Sequence, residues 1–83
     1  MQVRIYGMGC SRCARLHQNV LEALEGLDLQ AAVIKVEDIN DIAAAGVTAT
    51  PGLAIDGKLV SQGRLLTVAQ LQEKLRGSAT ENA

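Results

Sequence analysis

Hydrophobic and polar positions along this 83-residue chain change period several times, and each change marks an element. In Gln2 to Tyr6, Val3 and Ile5 alternate with Arg4, a period of two rich in β-branched residues that predicts a strand. From Ser11 the period becomes helical: Leu16, Val20, Leu24 and Leu27 recur on one face, Ala14, Leu21 and Ala23 widen it, and Gly26 is available as a stop. The spacing predicts a helix from about Ser11 to Glu25, with Gln18, Asn19, Glu22 and Glu25 on its solvated side. Leu29 to Val36 is a mostly apolar run, the pattern of a strand covered on both faces. Strand, helix and strand make a βαβ unit, which is parallel and right-handed, so the two strands lie side by side with their C-terminal ends together.

Downstream, Asp38 or Asn40 can cap a short helix through Ala45 that turns Ile39, Ile42 and Ala43 inward, and Gly46 is placed to end it. Capping and the helix dipole account for the acidic set Glu37, Asp38 and Asp41 without a cation. Gly52 to Ile55 and Lys58 to Gln62 are short strand-like runs separated by Asp56-Gly57, a strong two-residue signal for an antiparallel hairpin. Thr67 to Gln70 then forms a capping-box pattern, and Val68, Leu71 and Leu75 carry a last helix to Gly77. The predicted order is βαβαββα over residues 1–77, one domain, with a frayed tail at 78–83.

Composition narrows the function. A chain this short buries only roughly 60 to 65% of its unfolded surface, so its core must be economical. The formal net charge is −1, Lys and Arg are scattered, and Tyr6 is the sole aromatic, which leaves nothing to track phosphates or stack bases. No apolar run approaches the ~20 residues of a membrane span, and no charged start, apolar core and cleavage site precede the first strand. These readings predict no nucleic acid, no membrane span and a cytoplasmic location.

Both cysteines lie in Gly7 to Cys13, read Gly-Met-Gly-Cys-Ser-Arg-Cys, where the first strand gives way to the first helix. Thiols at Cys10 and Cys13 close too short a loop to constrain the unfolded chain much, so the pair is a poor staple. Placed at a helix's first turn, they can be bridged with little backbone movement, and the positive end of the dipole favours a thiolate. In a reducing compartment that points to catalytic dithiol chemistry or to a soft metal. Arg12 brings a fixed positive charge to the same turn, where it either helps hold a thiolate or is solvated. His17 follows Cys13 by four, yet a zinc site would want a fourth ligand that the sequence lacks. Met8 suits a flexible apolar cover.

Cys-x-x-Cys at a strand-to-helix turn, followed some forty positions later by Thr50-Pro51 leading into the Asp56-Gly57 hairpin and a last helix, resembles the thioredoxin and glutaredoxin superfamily. More narrowly, Ile-Tyr-Gly-x-Gly-Cys-x-x-Cys with Thr-Pro-x-x-x-Ile-Asp-Gly-Lys resembles the small thioredoxin-like redox-active disulfide proteins, over residues 2–76. The resemblance implies a thioredoxin-like α/β fold, a four-stranded mixed sheet with helices on both faces. It implies a thiol–disulfide oxidoreductase with Cys10 as attacking thiolate, Cys13 as resolving thiol, and Pro51 as a cis-proline facing the dithiol, with Thr50 presenting its backbone to substrate. The reactive group is then the Cys10–Cys13 disulfide with no further cofactor, in a monomer whose partners are a protein or small-molecule disulfide and a reductase. Ser61-Gln62-Gly63-Arg64 lacks the Gly-Gly-acid pattern by which glutaredoxins hold glutathione, and no Trp precedes Cys10. Met8-x-Cys10-x-x-Cys13 also resembles the loop of small copper-carrying domains, where soft thiolates suit Cu(I). That family runs βαββαβ and ends on a strand, whereas the pattern here ends on a capped helix.

Overall fold

The computed structural model describes residues 1–8 and 11–81, with side chains described through Gly77. In chain order it holds β1 (Gln2–Tyr6), α1 (Ser11–Gly26), β2 (Ala32–Val36), α2 (Ile39–Ala44), β3 (Gly52–Ile55), β4 (Lys58–Gln62) and α3 (Val68–Glu81). The four strands form one sheet in the order β2-β1-β3-β4. β1 runs parallel to β2 and antiparallel to β3, and β3 runs antiparallel to β4, so the sheet is mixed.

Strand alternation divides the core in two. Val3 and Ile5 point to the face covered by α1 and α3, where they meet Leu16, Val20, Leu53, Ile55, Leu71 and Leu75, all nearly or fully buried. Tyr6 points the other way into a smaller cluster with Ile42, Val47 and Ala54 under α2. The helices thus lie on both faces of a mixed sheet, a thioredoxin-like α/β arrangement.

Local chemistry explains where the elements stop. Asp56 and Gly57 both take positive φ, at 50° and 85°, as a two-residue turn matched to the right-handed strand twist requires. Asp56 also binds the start of β1, its amide donating to Gln2 O (2.8 Å) and its Oδ1 accepting from Gln2 N (2.7 Å). At α3 the capping box closes reciprocally: Gln70 N donates to Thr67 Oγ1 at 3.2 Å and Thr67 N to Gln70 Oε1 at 3.0 Å. Leu66 and Leu71, flanking that cap, are both buried in the larger core as a hydrophobic staple would place them. Asp38 caps α2, its carboxylate accepting from Asn40 N (2.8 Å) and Asp41 N (3.3 Å).

Several expectations are corrected. β2 is an edge strand and not one covered on both faces: Ala32 and Ile34 (37% exposed) are left open on the α2 face, and Lys35, opposite Ile5 on the other face, is exposed as well, because the strand lies at the rim of the sheet. Its ladder begins at Ala32, since Leu29 is used to end α1, donating from N to Leu24 O. α1 ends at Gly26, but the left-handed residue that closes it is Asp28 (φ 52°) and not the glycine; a Cβ on Gly26 would meet only the far end of the Gln72 side chain. Ile39 and Ala43 do not face inward. Only Ile42 of that trio is buried, and Ile39 is 63% exposed. Ala14 and Leu21 likewise stay at the surface. Asn19 is more than a solvated residue, for its Nδ2 donates to Leu66 O at 2.9 Å and ties α1 to the start of α3. α3 itself continues past Gly77 to Glu81.

The Asp38 cap gives a stability test. Asp38→Ala removes both acceptor contacts and is expected to cost about 1 kcal/mol. Urea unfolding should show a lower midpoint with an unchanged slope, whereas Asn40→Ala, with only its backbone in the cap, should leave the midpoint in place.

Candidate functional site

Three chain segments meet at the C-terminal end of β1. Gly7 extends that strand, its N donating to Val36 O at 3.0 Å, and is buried. Cys13 lies in the first turn of α1 and is 5% exposed. A Cβ placed on Gly7 would overlap Cys13 Sγ, and would stand 3.1 Å from Cys13 Cβ and 3.9 Å from Thr50 Cβ. The meeting is topological: β3 is antiparallel to β1 with Gly52 opposite Tyr6, so the residues before β3 fall beside the residues after β1. Cys13, Thr50 and Pro51 are thereby gathered around Gly7, while Cys10 and Gly9 lie outside the described residues.

The segment entering β3 is held from several sides. Thr50–Pro51 is a cis peptide bond, and Pro51 is fully buried. Gln62 Oε1, at the end of β4, accepts from Thr48 N (2.8 Å) and Thr48 Oγ1 (3.2 Å). Gly63 N donates to both Ala49 O (3.1 Å) and Pro51 O (3.0 Å) from a left-handed conformation (φ 72°) that glycine adopts at no steric cost. Arg12 Nη2 donates to Gly63 O at 3.1 Å, so the first turn of α1 is joined through Gly63 to the Thr50–Pro51 segment. Arg12 thus has a structural partner on the rim.

Two recesses flank this meeting point. One, of about 300 Å³, is lined by Cys13, Gly7, Ser11, Lys35 and Glu37, with Lys35 Nζ 3.8 Å from the Glu37 carboxylate at its solvent edge. The other, of about 310 Å³, is bounded by Met8, Ile39, Val47, Thr48 and Thr50, apolar side chains beside two threonines; Met8 is 54% exposed there. The outward turn of Ile39 therefore has a place in the site. His17 sits half-buried on α1, and among the described residues no group of three His, Cys, Asp or Glu side chains could hold a metal ion. Gly7 heads the Cys-x-x-Cys stretch, yet spacing assigns it no role, and Gly63, which follows β4, carries no signal in the sequence beyond its place at a strand end.

The Thioredoxin domain family matches residues 1–76. The chain belongs to the thioredoxin family. A thioredoxin of Methanocaldococcus jannaschii is 39% identical over 74 residues, spanning 89% of this chain and 85% of that protein. A thioredoxin of Methanothermobacter thermautotrophicus is 39% identical over 75 residues, spanning 90% of this chain and 97% of its own. Relatives at this identity over almost the whole chain support a thioredoxin-like redox function and a thiol–disulfide oxidoreductase activity. The frame ends on α3 and is not the βαββαβ frame of the copper-carrying loop, so that alternative has no support. Among the described residues no helix is long and apolar enough to cross a membrane.

Arg12→Ala tests the link between α1 and the Thr50–Pro51 segment. Global stability should fall by no more than ~0.5 kcal/mol, as for an exposed contact. Amide exchange at Gly63, followed by NMR, should quicken about two-fold or more, since its carbonyl loses an anchor while its own bonds to Ala49 and Pro51 loosen. Unchanged exchange at Gly63 would show that Arg12 holds nothing there.

Proposed function

We propose that this thioredoxin-family chain exchanges disulfides through Cys10 and Cys13, with Cys10 as nucleophile and Cys13 as resolving thiol. Cys10 Sγ, as thiolate, attacks one sulfur of a partner's disulfide; an S–S bond forms to that sulfur, and the other leaves as a thiolate that takes a proton from solvent. Cys13 then gives up its proton to water and attacks Cys10 Sγ. The Cys10–Cys13 bond forms, the mixed disulfide breaks, and the partner's second sulfur leaves as a thiolate. Two electrons pass from the dithiol to the partner, and a reductase returns them.

The observation that carries this reading is the seat of Cys13, buried in the first turn of α1 against Gly7, which Thr50 also approaches. A buried thiol is protected from solutes, as a resolving group should be. Cys10 immediately precedes Ser11, where α1 begins, so the unpaired N–H groups and dipole of that helix favour its thiolate. In this reading Thr50 offers its backbone to an incoming chain, and Pro51, having no N–H, leaves that edge without a competing donor. The apolar recess at Met8 and Ile39 receives the partner's side chain next to its disulfide. A protein disulfide fits this surface better than glutathione, for which Ser61 to Arg64 has no acidic anchor. The chain acts as a cytoplasmic monomer without a metal or other cofactor.

Substitution separates the two roles. Cys13→Ser is expected to accumulate a mixed disulfide on Cys10 with a model protein disulfide, and Cys10→Ser to abolish exchange. Retention of disulfide reduction by both variants would remove the dithiol as the active site. In the reduced wild type, iodoacetamide should modify Cys10 well below the pH of ~8.5 at which an ordinary thiol half-ionises, with Cys13 lagging. Peptide mass mapping reads the two rates separately, and equal rates across that range would contradict the asymmetry.

A further inference from the structure

Resting on that dithiol reading, we infer that Gly7 is a positioning residue for the resolving thiol: its missing side chain is the socket that seats Cys13 Sγ. Glycine is required here by space and not by backbone shape. Gly46, Gly57 and Gly63 adopt positive φ, but Gly7 does not, and its backbone continues the β1–β2 ladder through the bond to Val36 O. An alanine could take up that conformation without strain. What it could not do is coexist with the sulfur, because its Cβ would overlap Cys13 Sγ and crowd Cys13 Cβ at 3.1 Å.

The backbones on both sides of the contact are held. Gly7 is fixed by the ladder to β2, and Cys13 by the first turn of α1 and by its own burial. A Cβ at position 7 can therefore be relieved only by turning Sγ away, into the recess beside Ser11, Lys35 and Glu37, or by shifting the helix turn that carries it. Either response changes the sulfur that must approach Cys10 in line with the mixed disulfide. Displacement of a reacting atom by about 1 Å can cost as much as ~100-fold in rate. The first half of the reaction does not involve Cys13 Sγ as a reacting atom, so Gly7 acts on resolution alone.

The experiment uses the full chain, reduced, mixed with an aromatic disulfide whose released thiolates absorb light. The first thiolate reports attack by Cys10 and depends on probe concentration, whereas the second reports resolution by Cys13 and does not. Gly7→Ala is expected to leave the first phase within about two-fold and to slow the second by roughly 10- to 100-fold. Thermal unfolding of Gly7→Ala in the wild-type and Cys13→Ala backgrounds forms a cycle: the fall in melting temperature should be at least halved when the sulfur is absent. Equal slowing of both phases, an unchanged second phase, or the same fall in both backgrounds would overturn the inference. The cycle reads the Gly7–Cys13 contact even if Gly7→Ala is too unstable for kinetics in the wild-type background. It stands apart from the dithiol reading, which fails only if wild type releases no second thiolate or Cys13→Ser still does.

Discussion

Backbone pairing of β1 on both its edges, in parallel with β2 and antiparallel with β3, brings three otherwise distant segments to one end of the sheet. The parallel partner requires a crossover, and α1 supplies it, so that its first turn must start where β1 ends. The antiparallel partner must begin where β1 ends, which sets Thr50 and Pro51 at the same place. Cys13, Gly7 and Thr50 converge because a single central strand is paired in two senses. The larger core stabilises that strand from one face, through Val3 and Ile5 against α1 and α3. The site takes its geometry from the sheet.

Around that meeting point the chain is fastened by short polar contacts. Gln62 holds Thr48, Gly63 holds Ala49 and Pro51, and Arg12 reaches across from α1 to Gly63. The two side-chain bonds, from Arg12 and to Gln62, are exposed, and each bond is individually modest. Together they fix a loop that enters β3 without secondary structure of its own. On the opposite side α2 covers only part of the sheet, leaving Ile39 turned outward next to Met8 and Thr50.

Much of this was legible from local chemistry. Asp56-Gly57, the Thr67–Gln70 box and the Asp38 cap act over two to four residues, and a pattern that short carries its own geometry. Thr50 and Pro51 fell at the end of β1, beside Gly7, because strand direction alone dictates it. What misled was tertiary. The apolar run from Leu29 to Val36 reads as a covered strand, yet covering depends on the strand's place in the sheet, here at its edge, which the run does not encode. Gly26 reads as the helix stop and the helix does end there, but the left-handed turn falls on Asp28, which no local pattern marked. Gly7 belongs to the motif by position, although the overlap with Cys13 Sγ that makes a glycine necessary appears only when strand and helix are placed together.

The central claim is that Cys10 and Cys13 cycle as one two-electron unit, and a redox titration read by mass tests it most directly. The protein is equilibrated in thiol–disulfide buffers of graded poise, quenched with an alkylating reagent and weighed intact, with and without Cu(I). Wild type should carry either two alkyl groups or none, the fraction following a two-electron curve of about 30 mV per tenfold change. Added Cu(I) should not protect both thiols from alkylation under reducing poise. A dominant singly alkylated species across the transition, or protection of both thiols by stoichiometric Cu(I), would contradict the dithiol account.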